Sequence, residues 1–214
     1  MVTLRITIIY DNTTFRKDLQ ADWGFSALVE VGNRKILFDT GANGRILLSN
    51  MEKLELDARE IEDVFISHLH WDHVGGLTAF LRLNSKVRLW VPSYFPEAGN
   101  AREVIEVKEP RKLYEGIYST GELEGIEQPL CIETKKGIVI LVGCSHPRME
   151  SILRTAAQFG KVYGIIGGLH ATEPESLRGL RLICPTHCTL YKTEIKSLYP
   201  ESYIEGGAGK VIEI

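Results

Sequence analysis

The sequence lacks the features that mark membrane-spanning, secreted and polyanion-binding proteins. Its longest apolar run, residues 137–143, is far shorter than the roughly 20 residues that a transmembrane helix needs. Residues 1–10 alternate polar and apolar side chains like a strand and contain no signal-peptide core. The 25 basic and 28 acidic side chains give a net charge of −3, which excludes a general polybasic surface. We therefore expect a cytoplasmic protein that binds neither membranes nor nucleic acids.

Cysteine is also scarce, and its placement argues against disulfides. The four cysteines are widely spaced and lie in or beside apolar stretches: Cys131, Cys144, Cys184 and Cys188. In a chain of 214 residues, long enough to build a full core, this pattern favours reduced thiols. Cys144 lies two residues before His146, but buried free cysteines are common, and we do not interpret it as a nucleophile.

Hydrophobic periodicity predicts a single mixed α/β domain over residues 1–214. Strands are predicted at 2–10, 25–31, 35–39, 63–67, 86–91, 129–134, 138–142, 162–166, 181–184 and 210–214, and helices at 43–54, 77–81, 149–159 and 192–199. Proline and glycine interrupt the pattern at 171–179 and at 93–116, where we predict a loop-rich substrate lid with one short strand at 103–107. So many strands favour two packed sheets with helices outside.

The densest chemical signal directly follows the predicted strand at 63–67, where His68, His70, Asp72 and His73 fall within six residues. On an extended backbone, His68 and His70 point to the same side, whereas Asp72 and His73 fall in the turn and reach a second point. Imidazole and carboxylate groups suit zinc, iron and manganese. The segment therefore predicts one or two divalent ions, with Zn²⁺ favoured and Fe or Mn as alternatives.

The other three histidines also lie at predicted strand ends beside small or turn residues: His146, His170 and His187. Because strand ends can converge on one crevice, ligands distant in sequence can meet there. Each histidine alone fits a structural role, but together with the 68–73 cluster we interpret His146 and His187 as further metal ligands. His170 remains open between a ligand or substrate contact and a structural role.

These residues resemble the metallo-β-lactamase superfamily. The H-x-H-x-D-H motif matches His68-x-His70-x-Asp72-His73, and further motif residues recur in order: Asp39, His146 and His187. The resemblance implies a four-layer αβ/βα sandwich of two mixed β-sheets flanked by helices. It also implies one metal held by His68, His70 and His146 and a second held by Asp72, His73 and His187. Asp39 would orient a ligand imidazole, the alternative being a simple turn aspartate.

Residues 167–170, Gly-Gly-Leu-His, depart from this pattern. Many hydrolytic members carry at this strand end an aspartate that bridges the two metals. Either His170 takes over part of that role, or the second metal is weaker, or the site holds one metal. The same segment, with Gly-Cys-Ser-His at 143–146 and Pro-Thr-His-Cys at 185–188, resembles the subgroup named 7,8-dihydropterin-6-ylmethyl-4-(β-D-ribofuranosyl)aminobenzene 5′-phosphate synthase.

The expected chemistry is hydrolysis of a small-molecule ester, amide or phosphoester by a metal-bound hydroxide. We expect Asp72, as ligand and proton acceptor, and His170 to be the catalytic side chains. Arg148, which starts a helix after His146, and Tyr191 and Lys192, which follow His187, are candidate contacts for a phosphorylated or pterin-like substrate. Ordinary solvated charge is the alternative for Arg148 and Lys192.

Three other functions compete with hydrolysis. The subgroup resemblance implies a transferase that joins a pterin to a phosphorylated aminobenzene partner. A non-catalytic, metal-containing ligand sensor fits the missing aspartate. An iron-dependent oxygen enzyme is less favoured, because the related di-iron proteins carry glutamate where this sequence has His70.

Overall fold

The computed structural model describes residues 3–96 and 100–214. Residue 2 of the predicted first strand and residues 97–99 of the predicted lid lie outside the described residues.

Within the described residues, thirteen strands form two mixed sheets. The first sheet has the order β13-β1-β2-β3-β4-β5-β6: β1 Leu4–Tyr10, β2 Ser26–Val31, β3 Arg34–Phe38, β4 Asp63–Phe65, β5 Arg88–Val91, β6 Glu103–Glu106 and β13 Val211–Glu213. The second has the order β12-β11-β10-β9-β8-β7: β7 Arg111–Tyr114, β8 Ile117–Ser119, β9 Leu130–Thr134, β10 Gly137–Val142, β11 Val162–Gly168 and β12 Leu182–Thr186. The pairs from β3 to β6 are parallel, as are β10 to β12, and the other pairs are antiparallel.

Helices cover the outer faces of both sheets. The described α-helices are α1 Gly44–Lys53, α2 Trp71–Val74, α3 Leu77–Leu83, α4 Met149–Ala156 and α5 Lys192–Leu198. One core lies between the sheets, where Phe38 and Phe65 stack near Val139 and Leu141. A second core packs α1 and α3 on the first sheet, and a third packs α4 and α5 on the second. Three cores between four layers confirm the predicted αβ/βα sandwich.

The predicted strands and helices are confirmed, with boundaries shifted by one to three residues, but the short elements depart from prediction. The strand predicted at 103–107 is β6, on the edge of the first sheet. The same 93–116 segment also contains β7, which the sequence did not predict. This part of the segment is therefore sheet, not loop, because its backbone pairs with β5 and β8. The strand β8 and the single-turn helix α2 were likewise not predicted.

Strand ends at one edge of the sandwich have unusual backbone conformations. Asp39 after β3, Ser145 after β10, His170 after β11 and His187 after β12 have positive φ angles of 51°, 55°, 42° and 45°. Non-glycine residues adopt this region at a cost that tertiary contacts must offset, and such residues concentrate at functional sites. The four turns bring polar side chains from both sheets to the same place. Within the described residues, no helix is long and apolar enough to cross a membrane.

Candidate metal centre

The first cluster contains His68, His70 and His146. His68 and His70 lie on the extended segment after β4, and their ring centroids are 4.5 Å apart. His146 follows β10 in the other sheet, and its Nε2 lies 3.1 Å from Nδ1 of His70. One nitrogen from each of the three rings lies within 4.8 Å of the other two. The two sheets thus contribute to a single three-imidazole cluster.

The second cluster contains Asp72, His73 and His187. Asp72 and His73 lie on α2, a single helical turn rather than the predicted irregular turn. The Asp72 Oδ2 atom lies 3.2 Å from His187 Nε2 and 3.9 Å from His73 Nε2. It also accepts a hydrogen bond of 2.9 Å from Trp23 Nε1. The structure therefore brings together all six residues predicted as metal ligands, in two adjacent groups of three.

Buried hydrogen bonds to Nδ1 orient the rings of His68 and His73. The Asp39 carboxylate, which is fully buried, accepts hydrogen bonds from Nδ1 of His73 at 2.7 Å and from Oγ of Ser67 at 2.7 Å. The Ser67 Oγ in turn lies 2.9 Å from Nδ1 of His68. We assign the proton of both rings to Nδ1, because Asp39 and Ser67 offer acceptors there. Each ring then presents the lone pair of its Nε2.

A separate pair of residues after β1 orients His187. Asn12 Oδ1 lies 2.8 Å from Nδ1 of His187, and Asp11 Oδ1 accepts a hydrogen bond of 2.7 Å from the His187 backbone amide. Sequence reasoning missed both residues, although polar residues directly after a buried strand were a usable signal. They direct Nε2 of His187 toward Asp72.

The donor set fits a divalent metal. The Nε2 atoms of His68 and His187 are buried and have no hydrogen-bond partner among the described residues, which is costly for a polar atom unless a ligand satisfies it. For tetrahedral zinc with bonds of 2.0–2.1 Å, ligand nitrogens lie about 3.3 Å apart, close to the 3.1 Å between His70 and His146. Imidazole nitrogens beside one carboxylate suit zinc, iron or manganese.

The buried Glu127 supports the loop that carries His146, and sequence reasoning missed it too. Its carboxylate accepts hydrogen bonds from the backbone amides of Gly143, Cys144 and His146 at 2.7, 3.1 and 3.0 Å. Glu127 lies on the 121–128 connection before β9, where no motif marks it. These contacts depend on the pairing of β9 with β10, and no local sequence pattern indicates them. The hydrogen bonds of Glu127 fix the end of β10, from which His146 follows.

Two thiols lie against the clusters. Cys144 Sγ is 3.2 Å from Nε2 of His73 and 3.3 Å from Sγ of Cys188, and both cysteines are buried and reduced. The hydrogen bond between the two thiols, together with burial, raises the pKa of Cys144, and the same hydrogen bond lowers the pKa of Cys188 to about 6. Within this pair the proton is therefore held by Cys144. The prediction of reduced, buried cysteines agrees with their placement here.

His170 lies beside the clusters at the mouth of a cavity. Its ring centroid is 5.2 Å from that of His146, and both line a cavity of about 370 Å³ with Arg148, Thr172 and Ser176. The exposed Arg148 forms an ion pair of 3.1 Å with Glu124, so its charge is partly neutralised. His170 and Arg148 are thus the predicted substrate contacts that reach this cavity.

Tyr191 and Lys192 lie elsewhere. Tyr191 precedes α5 and lines a different cavity of about 610 Å³, with Pro174 and Leu198. The charge of Lys192 acts on the buried Asp11, whose pKa it lowers against the larger effect of burial. These two residues therefore do not join Arg148 at the 370 Å³ cavity.

Burial controls the electrostatics of the clusters. Burial lowers the pKa of both His68 and His73 to about 3, so both rings are neutral and able to act as ligands. Burial raises the pKa of Asp39 to about 7, against the opposing effects of His68 and Ser67. Partial burial also raises the pKa of Asp72, but His187 and His73 outweigh it and hold that pKa below its usual range. Asp72 is therefore an anion at neutral pH.

Comparisons with known proteins agree with this geometry. A family model described as the metallo-beta-lactamase superfamily matches residues 24–187. The chain is 26% identical to 7,8-dihydropterin-6-methyl-4-(beta-D-ribofuranosyl)-aminobenzene-5'-phosphate synthase of Methanocaldococcus jannaschii, over 97% of this chain and 95% of the relative. Tm1679, a solved metal-dependent hydrolase of the beta-lactamase superfamily, has a TM-score of 0.79 at 24% identity over 99% of both chains. YhfI from Bacillus subtilis has a TM-score of 0.72 at 13% identity over 100% of both chains. The protein belongs to the metallo-beta-lactamase superfamily.

Proposed function

We propose that this protein is a metal-dependent hydrolase of a small-molecule ester or phosphoester. The supporting observation is the pair of adjacent three-residue clusters, one of which opens through His146 onto the 370 Å³ cavity. That volume lies in the range of small-molecule sites, about 300–1,000 Å³. A bound divalent metal supplies Lewis-acid polarisation of the scissile group and lowers the pKa of coordinated water.

The roles proposed for Asp72 and His170 differ from the sequence-based hypothesis in one respect, the proton acceptor. The lowered pKa of Asp72 makes it a weak base, so it acts as a negatively charged ligand rather than as the proton acceptor. His170 is exposed at the cavity and lies beside His146. We assign to a ring nitrogen of His170 the transfer of a proton to the leaving oxygen. The positive φ of His170 fixes its backbone in the turn that points toward the cavity.

A test separates metal ligation from proton transfer. Protein loaded with Zn²⁺, Fe²⁺ or Mn²⁺ is assayed against carboxylic esters, phosphomonoesters and phosphodiesters, and its metal content is measured. We expect His68→Ala and His146→Ala to lose both metal and turnover. His170→Ala is the matched histidine control for metal binding. It should keep its metal content, and its kcat should fall about 10²–10⁴-fold. Full activity of a metal-free His146→Ala protein contradicts the proposal.

A pterin-linked synthase is the second candidate. It is favoured by the similarity to the Methanocaldococcus jannaschii synthase along nearly the whole chain. Two exposed indoles beside Asp72 also suit a flat heterocycle: Trp23, which donates to its Oδ2, and Trp71, which precedes it on α2 and is 64% exposed. Aromatic rings stack on such faces. Quenching of pterin fluorescence by the protein, reduced in Trp71→Ala, together with no hydrolysis of the ester panel, supports this candidate over hydrolysis.

A further inference from the structure

The sulfur of Cys144 lies between the two clusters. It is within 4.8 Å of the nearest ring nitrogens of His68, from the first cluster, and His73, from the second. It is also within 4.8 Å of a nitrogen of His187. Cys144 is thus close to ligand atoms of both clusters. In contrast, the sets of neighbouring ligand atoms that include Asp72 or His187 contain no residue of the first cluster.

Gly168, at the end of β11, has no room for a side chain beside the two thiols. A Cβ at Gly168 would lie 2.4 Å from the carbonyl oxygen of Gly143 and 2.8 Å from Sγ of Cys188. The sulfur of Cys188 and the backbone of Gly143 therefore fill the space beside this strand end.

The surroundings of Cys144 favour metal ligation over simple packing. Nδ1 of His73 donates to Asp39, so Nε2, 3.2 Å from Cys144 Sγ, has a lone pair. A nitrogen lone pair and a sulfur that share one neighbouring space, both buried, form a donor set for a soft or borderline cation. For a tetrahedral site with zinc–nitrogen and zinc–sulfur bonds of about 2.0 and 2.3 Å, the two donor atoms lie about 3.5 Å apart.

We propose that Cys144 is a metal ligand shared by the two clusters, and that Cys188 positions it through the 3.3 Å contact between the two sulfur atoms. With metal bound, the Cys144 thiol would give up its proton to solvent, and its sulfur would hold metal together with Nε2 of His68 and His73. This inference rests on the two-ion site of the proposed function and adds a ligand to it.

Cobalt substitution provides the test, because Co²⁺ bound to thiolate gives an intense near-ultraviolet charge-transfer absorption that Co²⁺ bound to nitrogen and oxygen alone does not. The metal-free full-length protein is titrated with Co²⁺, and absorption and stoichiometry are recorded. We expect two ions per chain and a strong charge-transfer band. Cys144→Ala should lose the band and weaken the binding of at least one ion by more than tenfold.

Two further variants serve as a control for cysteine loss and as a test of the positioning role. Cys131→Ala, a buried cysteine on β9 outside the clusters, should keep the band and the stoichiometry. Cys188→Ala should keep the band with a shifted maximum, as expected for a positioning residue. Circular dichroism of each metal-free variant checks folding, and Cys144→Ser replaces Cys144→Ala if the latter fails to fold.

The possible failures are distinguishable. Two bound Co²⁺ ions without a charge-transfer band, or a band retained in Cys144→Ala, overturn the sulfur ligand while leaving the proposed hydrolase intact. A thiol count of two in the denatured, metal-binding protein also overturns it, because Cys144 and Cys188 would then be joined by a disulfide. Absence of any bound metal contradicts the proposed function itself.

Discussion

At the scale of single residues, the candidate centre depends on groups that do not face the metal positions. Asp39 and Asn12 each accept a hydrogen bond from Nδ1 of an imidazole. They hold His73 and His187 in the tautomer and rotation that direct Nε2 inward. Such supporting contacts raise ligand basicity and reduce the entropy lost on binding, and they typically contribute 10–100-fold in metal affinity.

Replacement of Asn12 tests this support without removing a ligand. Asn12→Ala leaves Nδ1 of His187 without its acceptor, so we expect the affinity for the second ion to fall about 10–100-fold while the first ion binds normally. Calorimetric titration of the metal-free protein with Zn²⁺ against a competing chelator measures both sites. Asn33→Ala, in the exposed β2–β3 turn, is the matched control and should bind as the unmodified protein does. Equal weakening of both sites would contradict the assignment.

At the scale of elements, the six-residue motif depends on a close fit between α2 and the loop after β3. The backbone amide and hydroxyl of Thr40 both donate to the carbonyl oxygen of His73, at 2.7 and 2.9 Å. Gly75, which ends α2, has an ordinary helical φ of −61°, but a Cβ there would lie 2.1 Å from the Ala42 carbonyl oxygen. Glycine is required here by space, not by backbone conformation.

We expect Gly75→Ala to displace α2 and to affect stability and metal binding together. The overlap with Ala42 predicts a loss of about 1–3 kcal/mol in the free energy of unfolding, with weaker binding of the ion held by Asp72 and His73. Urea unfolding and metal titration measure the two effects. Gly179→Ala, at a φ of 92° with open space around it, is the control: it should cost about 1–2 kcal/mol from conformation alone without changing metal affinity. Unchanged metal binding in Gly75→Ala would refute the dependence on this fit.

Elements and site residues differ in how readily the sequence predicts them. The cluster His68 to His73 is contiguous, so its spacing alone indicates ligands, and strong periodicity marks α1 and α4. β7 is a four-residue edge strand whose first two side chains are exposed and whose last two are half-buried, so its sequence shows no alternation of polar and apolar residues. The roles of Asn12 and Glu127 depend on contacts with residues 175 and 19 positions away. Such roles follow from the packing of the two sheets and have no local pattern.

At the scale of the whole molecule, the buried ionisable groups couple folding to pH. In the metal-free protein the pKa of His68 and His73 is about 3, compared with 6.5 for a free histidine. The unfolded chain therefore binds two protons between about pH 4 and 6.5 that the folded chain does not. Asp39 acts in the opposite sense, because its pKa of about 7 exceeds 3.8, so the folded chain binds one proton that the unfolded chain does not.

For His68, His73 and Asp39 the net difference is one proton, and two further groups act in opposite senses to each other, because burial lowers the pKa of His146 and raises that of Asp11. We predict that the metal-free protein loses roughly 1 kcal/mol of unfolding free energy per pH unit as the pH falls from about 6.5 to about 4. As the pH rises through about 7, Asp39 ionises in the folded chain and its own contribution to stability is lost; above about pH 8 the dependence is flat. Urea unfolding in the presence of a chelator at several pH values measures the slope, and a constant dependence on urea concentration confirms that the same transition is followed. Stability that is flat or increases on acidification would disprove the assignment.

The last strand of the first sheet has a consequence for the order of folding. β13 pairs with β1, and Arg5 lies opposite Glu213, 208 positions later. During synthesis, the outer edge of β1, with the apolar Leu4, Ile6 and Ile8 in its sequence, stays unpaired until the entire intervening chain has left the ribosome. Unpaired strand edges recruit other chains, and pairings this distant form slowly. The edge of β1 that β13 covers is thus open to pairing with other chains until β13 has formed.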